Sequence, residues 1–343
     1  MARTRKPTPT PPPLAELQAA LTPAPPQGPA YLRRCAALRD AARALIERGD
    51  WPALLDLRAW AWQHPLFMTD AAPLRGFLRQ WEQAIVSGAP LPTAASLVRD
   101  DVATATPDAC DRLAARGTWA ELRPLLQGDA AAWSVAEARV LHGETLPGRS
   151  PASGMPLRRF RWEAWPDLPS YSPLGMSWGS PAFTSTLTPT TLPPAPPQLP
   201  CEPEWSHVLA PWAASDPTFA KVAGTAEQAL ACLLGEGATP SLGACTWKEA
   251  QSVLMQAHGN AAPYTPGRGM VAARRVVWHL LAALAGARWP VSGGALQAAM
   301  SGWQWSRYDP HEDYADPGIW SVFLALADPR RGLAWAAHAW VTD

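Results

Sequence analysis

Apolar side chains recur at intervals of three and four residues through the first part of the chain, and this spacing predicts amphipathic helices. The first apolar face ends at Gly49, after which Asp50 is placed to cap a second helix. The same spacing predicts further helices over 73–87, 93–103 and 130–142. This part of the chain is therefore expected to be helical throughout.

A short pattern occurs twice in this helical part and predicts two copies of a helical hairpin. Residues 45–57 and 113–125 share Leu, Arg, Gly, Trp, Leu and Leu at six equivalent positions. In the second copy, Thr118 and Glu121 have the spacing of a capping box. Each copy is expected to form a helix, a glycine turn and a capped helix. A solenoid-like stack of such hairpins and an irregular bundle both remain open.

The second half of the chain shows helical spacing between signals that start helices. Thr225 and Thr246 each precede a Gln or Glu by three residues, and Asp316 precedes a proline. Helices are predicted over 225–234, 247–258, 270–285 and 294–302, with another from Asp316 across Phe323 and Leu324. Residues 330–343 alternate like a strand, but their alanine content favours a helix. The predicted fold class is all-α, with two helical lobes of αα-hairpins.

Proline marks the boundaries between the parts of the chain. Residues 1–29 contain nine prolines and residues 147–203 contain fourteen, and such segments favour extended conformations over helix. Several aromatic side chains in the second segment indicate that it packs as a strap and is more than a bare linker. The sequence predicts a disordered tail at 1–29, helical domains at 30–146 and 204–343, and a Pro-rich strap or linker at 147–203.

Composition limits the classes of protein to which the chain can belong. Three lysines, three isoleucines and one asparagine indicate a GC-rich bacterial genome, so the many arginines and alanines carry little chemical information. The formal net charge is +0, which argues against a nucleic-acid partner because such proteins carry a basic face. The longest apolar run, 276–287, is shorter than the ~18 residues of a membrane span. Five scattered cysteines, and a proline-rich start in place of a signal sequence, predict a cytoplasmic protein.

The densest cluster of chemistry-bearing residues lies between two predicted helices near the C-terminal end. Its members combine aromatic rings, a guanidinium group and an acidic stretch, and they are Trp303, Trp305, Arg307, Tyr308, His311, Glu312 and Asp313. Imidazole and carboxylate groups can hold a divalent ion or act as an acid–base pair, and tryptophan offers an apolar face with one N–H donor. The cluster supports three alternatives: a solvated loop with a helix cap, a partner-binding loop, and a catalytic or ligand site.

The 19 tryptophans are first expected to fill the core of a chain that is poor in isoleucine and phenylalanine. Two pairs, Trp60 with Trp62 and Trp303 with Trp305, are spaced by two residues. Residues with that spacing do not share a face of a helix. One member of each pair is therefore a candidate for an exposed recognition surface.

Arg274 is a further candidate binding residue, because it follows a glycine-containing turn at 267–269 that precedes a helix. Free backbone N–H groups at a helix start can bind an anion, whereas an arginine on the polar face of the helix is the ordinary explanation. The 7 histidines show no metal-binding spacing, and the cysteines include no C-x-x-C pair. No metal site and no cofactor are predicted.

Several features of the C-terminal quarter occur together. They are Ala262-Pro263-Tyr264 before the glycine turn, Ala272-Ala273-Arg274 leading into an alanine–leucine run at 280–286, Trp303, Trp320, and the closing Thr342-Asp343. In these features residues 259–343 resemble an uncharacterised bacterial family, common in actinobacteria and known only as a domain of unknown function. The resemblance implies a bacterial, helical, cytoplasmic protein, and it implies no activity.

The sequence favours a non-enzymatic protein-interaction or regulatory module, in which helical hairpins present a groove to a protein partner. An enzyme is not favoured, because the sequence contains no complete catalytic set. The alternative is an enzyme or small-ligand-binding domain with its site at 303–316. The identity of the partner and the oligomeric state are left open.

Overall fold

The computed structural model divides the chain into two compact units, Met1–Val135 and Ala136–Asp343. They are called the N-terminal unit and the C-terminal unit. The structure describes the following residues: 29–63, 72–100, 107–127, 130–164, 170–172, 175–177, 183–211, 216–260, 268–310 and 321–340.

The N-terminal unit is helical through its described residues. Its helices are α1 Pro29–Arg48, α2 Trp51–Gln63, α3 Ala72–Gly88, α4 Leu91–Asp100, α5 Pro107–Ala114 and α6 Trp119–Leu126, and α7 Ala130–Leu141 runs across the boundary in sequence. The helices predicted over 73–87, 93–103 and 130–142 correspond to α3, α4 and α7. The amphipathic spacing therefore located these helices to within a few residues.

The turn between α1 and α2 has the chemistry that the sequence predicts. Gly49 has φ +69°, a left-handed conformation that glycine adopts without steric cost. Trp51 then packs against Gly88 at the end of α3, where an added Cβ would lie 2.7 Å from the indole ring. At the start of α6, Thr118 and Glu121 form the predicted capping box.

The C-terminal unit contains an antiparallel sheet, and the all-α prediction is wrong. Its strands are β1 Ser170–Ser172, β2 Gly175–Ser177, β3 Thr188–Pro189, β4 Thr218–Ala223, β5 Ser241–Cys245, β6 Gln304–Asp309, β7 Ser321–Asp328 and β8 Leu333–Trp340. The first two form a separate hairpin, and the others form a sheet in the order β3-β5-β6-β7-β8-β4. Its helices are α8 Glu204–Val208, α9 Ala226–Leu234, α10 Trp247–Asn260, α11 Gly269–Leu284 and α12 Gly293–Met300.

Helices cover both faces of this sheet. Side chains alternate between the two faces along each strand. On one face, Tyr308 and Phe323 form a core with Leu230 of α9. On the opposite face, Trp305 contacts Trp247 of α10, with ring centroids 5.4 Å apart. The result is a layered α/β unit with β7 and β8 in the interior of the sheet.

Burial of the central strands on both faces explains why the sequence did not predict the sheet. All residues of β7 from Val322 to Asp328 are buried. Its sequence is therefore an almost continuous apolar run, without the alternation of apolar and polar residues that predicts a half-buried strand. Residues 321–324 were predicted to belong to a helix and lie in β7 instead. The alanine-rich segment Leu333–Trp340 was also predicted to be helical, and it forms β8. Its pairing with β4 and β7 overrides the helix propensity of alanine.

The described part of the proline-rich segment after β2 crosses the C-terminal unit from one edge of the sheet to the other. At the first edge, β3 pairs with β5 through Thr188 and Leu242. The chain then passes α9, where the Cys232 thiol donates to the carbonyl of Pro196 at 3.5 Å. At the second edge, Gln198 forms an isolated bridge with Val222 of β4. Residues 188–199, a part of the segment 147–203 that was predicted as a strap or linker, form this crossing and are called the strap.

Among the helices that the structure describes, none is both long enough and apolar enough to cross a membrane.

Candidate functional site

Strand β6 separates the residues of the predicted C-terminal cluster between the two faces of the sheet. Trp305 and Arg307 face α10, and Tyr308 faces the core under α9. The Tyr308 hydroxyl donates to the carbonyl of Ala337 at 3.2 Å and lies 3.0 Å from Nδ1 of His338. Burial raises the pKa of Tyr308 above its usual range. The described members of the predicted cluster therefore lie on both faces of the sheet.

His311, Glu312 and Asp313 lie outside the described residues, so the acidic part of the predicted site stays a prediction. Trp303 immediately precedes β6, and its ring centroid lies 6.4 Å from that of Trp305. The sequence predicts these two as helical residues that do not share a face. In and beside a strand, residues spaced by two point to the same side, which brings the rings together.

Trp303 and Trp305 begin a row of contacting indole rings that runs through the helical layer over the sheet. The row continues from Trp305 to Trp247, then to Trp162 at 6.4 Å, and from Trp162 to Trp278 at 5.1 Å. We call these five residues the tryptophan row. It connects β6, α10, the segment before β1, and α11.

Most of the indole N–H groups in the tryptophan row have no acceptor. Within the described part of the chain, Nε1 of Trp162, Trp247, Trp303 and Trp305 is buried without a hydrogen-bond partner. Trp278 differs, because its Nε1 donates to the Glu163 carboxylate at 2.5 Å. A buried donor without an acceptor costs about 1–3 kcal/mol. The row is a concentration of such donors within the described residues.

Arg307 holds the segment before the strap against the sheet. Its Nη2 donates to the carbonyl of Ser185 at 2.6 Å, and its guanidinium lies 4.4 Å from the ring centroid of Phe183. Arg307 Nε and the Ser185 hydroxyl are buried and have no partner among the described residues. Gly243 of β5 permits this close packing, because an added Cβ would lie 2.8 Å from the carbonyl oxygen of Thr186.

Cys245 pairs with Trp305 across β5 and β6 and is not an activated thiol. Burial raises its pKa to about 12, and the neighbouring Glu249 carboxylate acts in the same direction. The thiol is therefore protonated at neutral pH and is a poor nucleophile. Burial also raises the pKa of Glu249, but hydrogen bonds from Thr246 and Thr184 outweigh it and hold that pKa below its usual value.

Arg274 lies inside α11 and is fully engaged in structural contacts. Its Nε and Nη2 bind the two carboxylate oxygens of Glu163, and its guanidinium also donates to the carbonyls of Pro156 and Arg158. The helix begins at Gly269, so Arg274 is not at its start. The anion-binding alternative therefore has no geometric support at this residue.

The two histidines considered as partners for the acidic cluster each have a structural contact of their own. His258 Nδ1 donates to the carbonyl of Val208 at 3.1 Å, and the His279 ring contacts the Trp289 ring in a tilted arrangement with centroids 4.0 Å apart. Burial lowers the pKa of both imidazoles. The described residues contain no group of three or more His, Cys, Asp or Glu side chains that could hold a metal ion.

A cavity in the N-terminal unit was not predicted from the sequence. It lies between α2 and α4 and has a volume of about 340 Å³. Its lining residues come from one face of α2 and one turn of α4, and they are Leu55, Asp56, Arg58, Ala59, Trp62, Gln63, Ser96 and Leu97. We call it the α2–α4 cavity. The related prediction from the sequence is the Trp60 and Trp62 pair, a candidate for an exposed recognition surface, because Trp62 belongs to the lining.

The α2–α4 cavity combines apolar surface with a small number of polar groups. Arg58 lies at its base, where Nε donates to Glu82 of α3 at 3.1 Å, and both side chains are buried. The Arg58 guanidinium lies 5.7 Å from the Trp62 ring centroid. Asp56, Ala59 and Gln63 are exposed, so the cavity opens to solvent. Its volume and lining are in the range of sites that hold a ligand or a partner side chain.

Comparisons of the chain with protein-family models, with curated proteins and with solved structures found no match.

Proposed function

We propose that the protein is a non-enzymatic interaction module whose N-terminal unit binds a segment of a partner protein. The observation that carries the proposal is the α2–α4 cavity, an opening between helices lined by Trp62, Leu97 and Asp56. A concave helical surface with an aromatic anchor point and few polar groups is a common way to hold a peptide segment. The cavity is large enough for one or two partner side chains.

The proposal includes a bacterial cytoplasmic location and excludes nucleic acid as the partner. The five cysteines are all free thiols in the structure, which suits a reducing compartment. The formal net charge of +0 offers no excess of basic groups for a phosphate backbone.

A library of random displayed peptides, screened against the full chain, tests the proposal. Ala59→Phe fills the α2–α4 cavity from an exposed position on α2 and is expected to weaken the selected peptides by about tenfold or more, because the cavity no longer admits a side chain. Ala120→Phe is the matched control, since Ala120 is an exposed alanine on α6 outside the cavity lining. Peptides that bind the Ala59→Phe variant as well as the original chain would contradict the proposal.

A second candidate function is a small-ligand site beside Trp305 in the C-terminal unit. The observation that favours it is the set of buried donors without acceptors among the described residues around β6. They are the indole N–H groups of Trp162, Trp247, Trp303 and Trp305, Arg307 Nε and the Ser185 hydroxyl. A ligand with carbonyl or ether oxygens would supply the missing acceptors. Each new hydrogen bond would recover part of the free energy that the unpaired donors cost.

A fragment collection divided into carbonyl-bearing and carbonyl-free members tests this second candidate. Carbonyl-bearing fragments are expected to raise the thermal unfolding midpoint and to shift indole N–H resonances of the tryptophan row. Trp305→Phe is expected to abolish both effects. Trp205→Phe is the matched control, because Trp205 also has an unpaired buried Nε1 but contacts Phe219 of β4. The candidate fails if no carbonyl-bearing fragment stabilises the protein, or if Trp305→Phe responds like the original chain.

A further inference from the structure

The charges around the α2–α4 cavity define the chemistry of its occupant. Arg58 is the cationic group in the lining, and its charge is already matched by Glu82. Both members of this pair are buried, with 2% and 1% of their side chains exposed. A buried and compensated guanidinium has little charge left to attract an anionic ligand.

Asp56 supplies the charge that remains at the opening of the cavity. It is exposed on α2, and it is the acidic residue of the lining. With Arg58 and Glu82 in balance, the lining and its ion-pair partner together carry one net negative charge. A carboxylate or phosphate group would be repelled there, whereas an ammonium or guanidinium group would be attracted.

The arrangement along α2 also suits a long basic side chain. Asp56 and Trp62 are six residues apart, which corresponds to about 9 Å along the helix axis. Leu55, Ala59 and Leu97 provide apolar surface for an alkyl stem. Lysine and arginine side chains bury such a stem while their charged head stays near water. Asp56 is placed at the exposed rim, where that head would lie.

We infer that the partner group held in the α2–α4 cavity is a lysine or arginine side chain, with its charged head paired to Asp56 and its stem packed against α2 and α4. This inference rests on the proposed function and specifies the chemistry of the partner. It selects basic segments of partner proteins, and it excludes acidic and phosphorylated ones.

Two small probes that differ only in charge test the inference on the full chain. N-acetyl-arginine amide carries a guanidinium group, and N-acetyl-citrulline amide carries a neutral urea of nearly the same shape. Binding is followed through the indole N–H resonance of Trp62, assigned with Trp62→Phe. The arginine probe is expected to bind more tightly than the citrulline probe by up to about fivefold, the upper end of what one exposed ion pair contributes. Added salt is expected to reduce the difference.

Two variants separate the charge from the shape of the cavity. Asp56→Asn is expected to bring the arginine probe to the affinity of the citrulline probe. Asp40→Asn is the matched control, because Asp40 is an exposed aspartate on α1 outside the cavity lining, and it is expected to have no effect. Both variants keep exposed side chains of the same size, so folding is expected to be retained and is checked by circular dichroism.

The outcomes distinguish failure of the inference from failure of the proposed function. If the two probes bind equally and both lose binding in Ala59→Phe, the inference of a cationic occupant is overturned. Binding in the α2–α4 cavity is then still supported. Absence of any saturable shift of the Trp62 resonance with the arginine probe also overturns the inference. In that case the cavity-dependent peptides of the library screen decide the proposed function separately. A preference for arginine that survives Asp56→Asn places the charge recognition elsewhere and overturns the inference.

Discussion

Arg274 and Glu163 form a two-point ion pair in the interior of the C-terminal unit. Arg274 Nε lies 2.9 Å from Oε1 of Glu163, and Nη2 lies 3.2 Å from Oε2. Only 2% and 1% of the two side chains are exposed. The pair joins α11 to the segment before β1, and the backbone N–H of Phe160 also donates to the same carboxylate. A residue that the sequence suggested for binding is thus part of the structural core.

Breaking this ion pair from one side is expected to cost more than neutralising both sides. Arg274→Met leaves a buried carboxylate without its cation and is expected to lower the free energy of unfolding by about 3–5 kcal/mol. The double variant Arg274→Met/Glu163→Gln removes that charge. Its single amide oxygen can accept from Trp278 or from Phe160, which donate to different oxygens of Glu163. It is expected to be more stable than Arg274→Met alone. Urea unfolding followed by far-ultraviolet circular dichroism measures the difference, and strictly additive losses would contradict the prediction.

Two tryptophans of similar burial are expected to differ in stability when replaced. Trp278→Phe removes an N–H donor that is bonded to Glu163, whereas Trp305→Phe removes one that has no acceptor in the described structure. A hydrogen bond to a charged group contributes about 1.5–3 kcal/mol. We expect Trp278→Phe to be less stable than Trp305→Phe by about 2 kcal/mol in urea unfolding. Equal losses would show that the indole N–H groups do not differ in this way.

Adjacent glycines at the start of α12 are expected to respond oppositely to alanine. An added Cβ at Gly293 would lie 2.2 Å from Cζ of Phe160, whereas nothing lies within 4 Å of one at Gly294. We expect Gly293→Ala to cost about 1–3 kcal/mol through overpacking. Gly294→Ala is expected to be neutral or to stabilise the helix by up to about 1 kcal/mol. Thermal unfolding of both variants measures this, and Phe160→Leu should rescue Gly293→Ala if the ring is the obstacle.

The buried imidazole of His258 is expected to make the protein less stable in mild acid. Burial lowers its pKa from 6.5 in the folded state, and the hydrogen bond to Val208 offsets only part of that effect. The unfolded chain therefore binds a proton that the folded chain resists. The free energy of unfolding is therefore not reduced by His258 above about pH 6.5. It falls as the pH decreases toward the lowered folded pKa, by at most about 1.4 kcal/mol per pH unit for this group.

His258→Asn keeps a side-chain N–H donor and removes the titration, so it tests that prediction. The decrease in unfolding free energy between neutral and mildly acidic pH is expected to be smaller in the variant than in the original chain. His279 has a pKa lowered in the same direction by burial, so part of the decrease is expected to remain. An identical pH dependence in both proteins would contradict the assignment to His258.

The helices were predictable because their signals are local. Gly49 at a helix end and the capping boxes at Thr118 and Thr225 are each encoded within a few residues, and the structure contains all three. The central strands were not predictable in this way. β7 pairs with β6 and β8, and its apolar side chains are buried on both faces, so neither its neighbours nor its two-sided burial can be read from its own residues.

The candidate sites also depend on residues that are distant in sequence, which a local pattern does not reveal. The sequence identified Trp303, Trp305 and Arg307 as a group, and the sheet places them on one face, but it places Tyr308 on the other. Arg274 was suggested by its position after a glycine turn, and only the fold shows that Glu163, 111 residues away, holds it. The α2–α4 cavity requires two helices that are separate in sequence, so no single segment could indicate it.

The strap connects the two opposite margins of the sheet and passes over α9 between them. Thr188 is fixed beside β5, and Gln198 is fixed beside β4 on the far side. Helix α9 is therefore held by its apolar contacts with the sheet and by contacts of Cys232 with a strap that is paired at both margins. We therefore expect α9 and the strands beneath it to unfold together, without an intermediate in which α9 alone has detached.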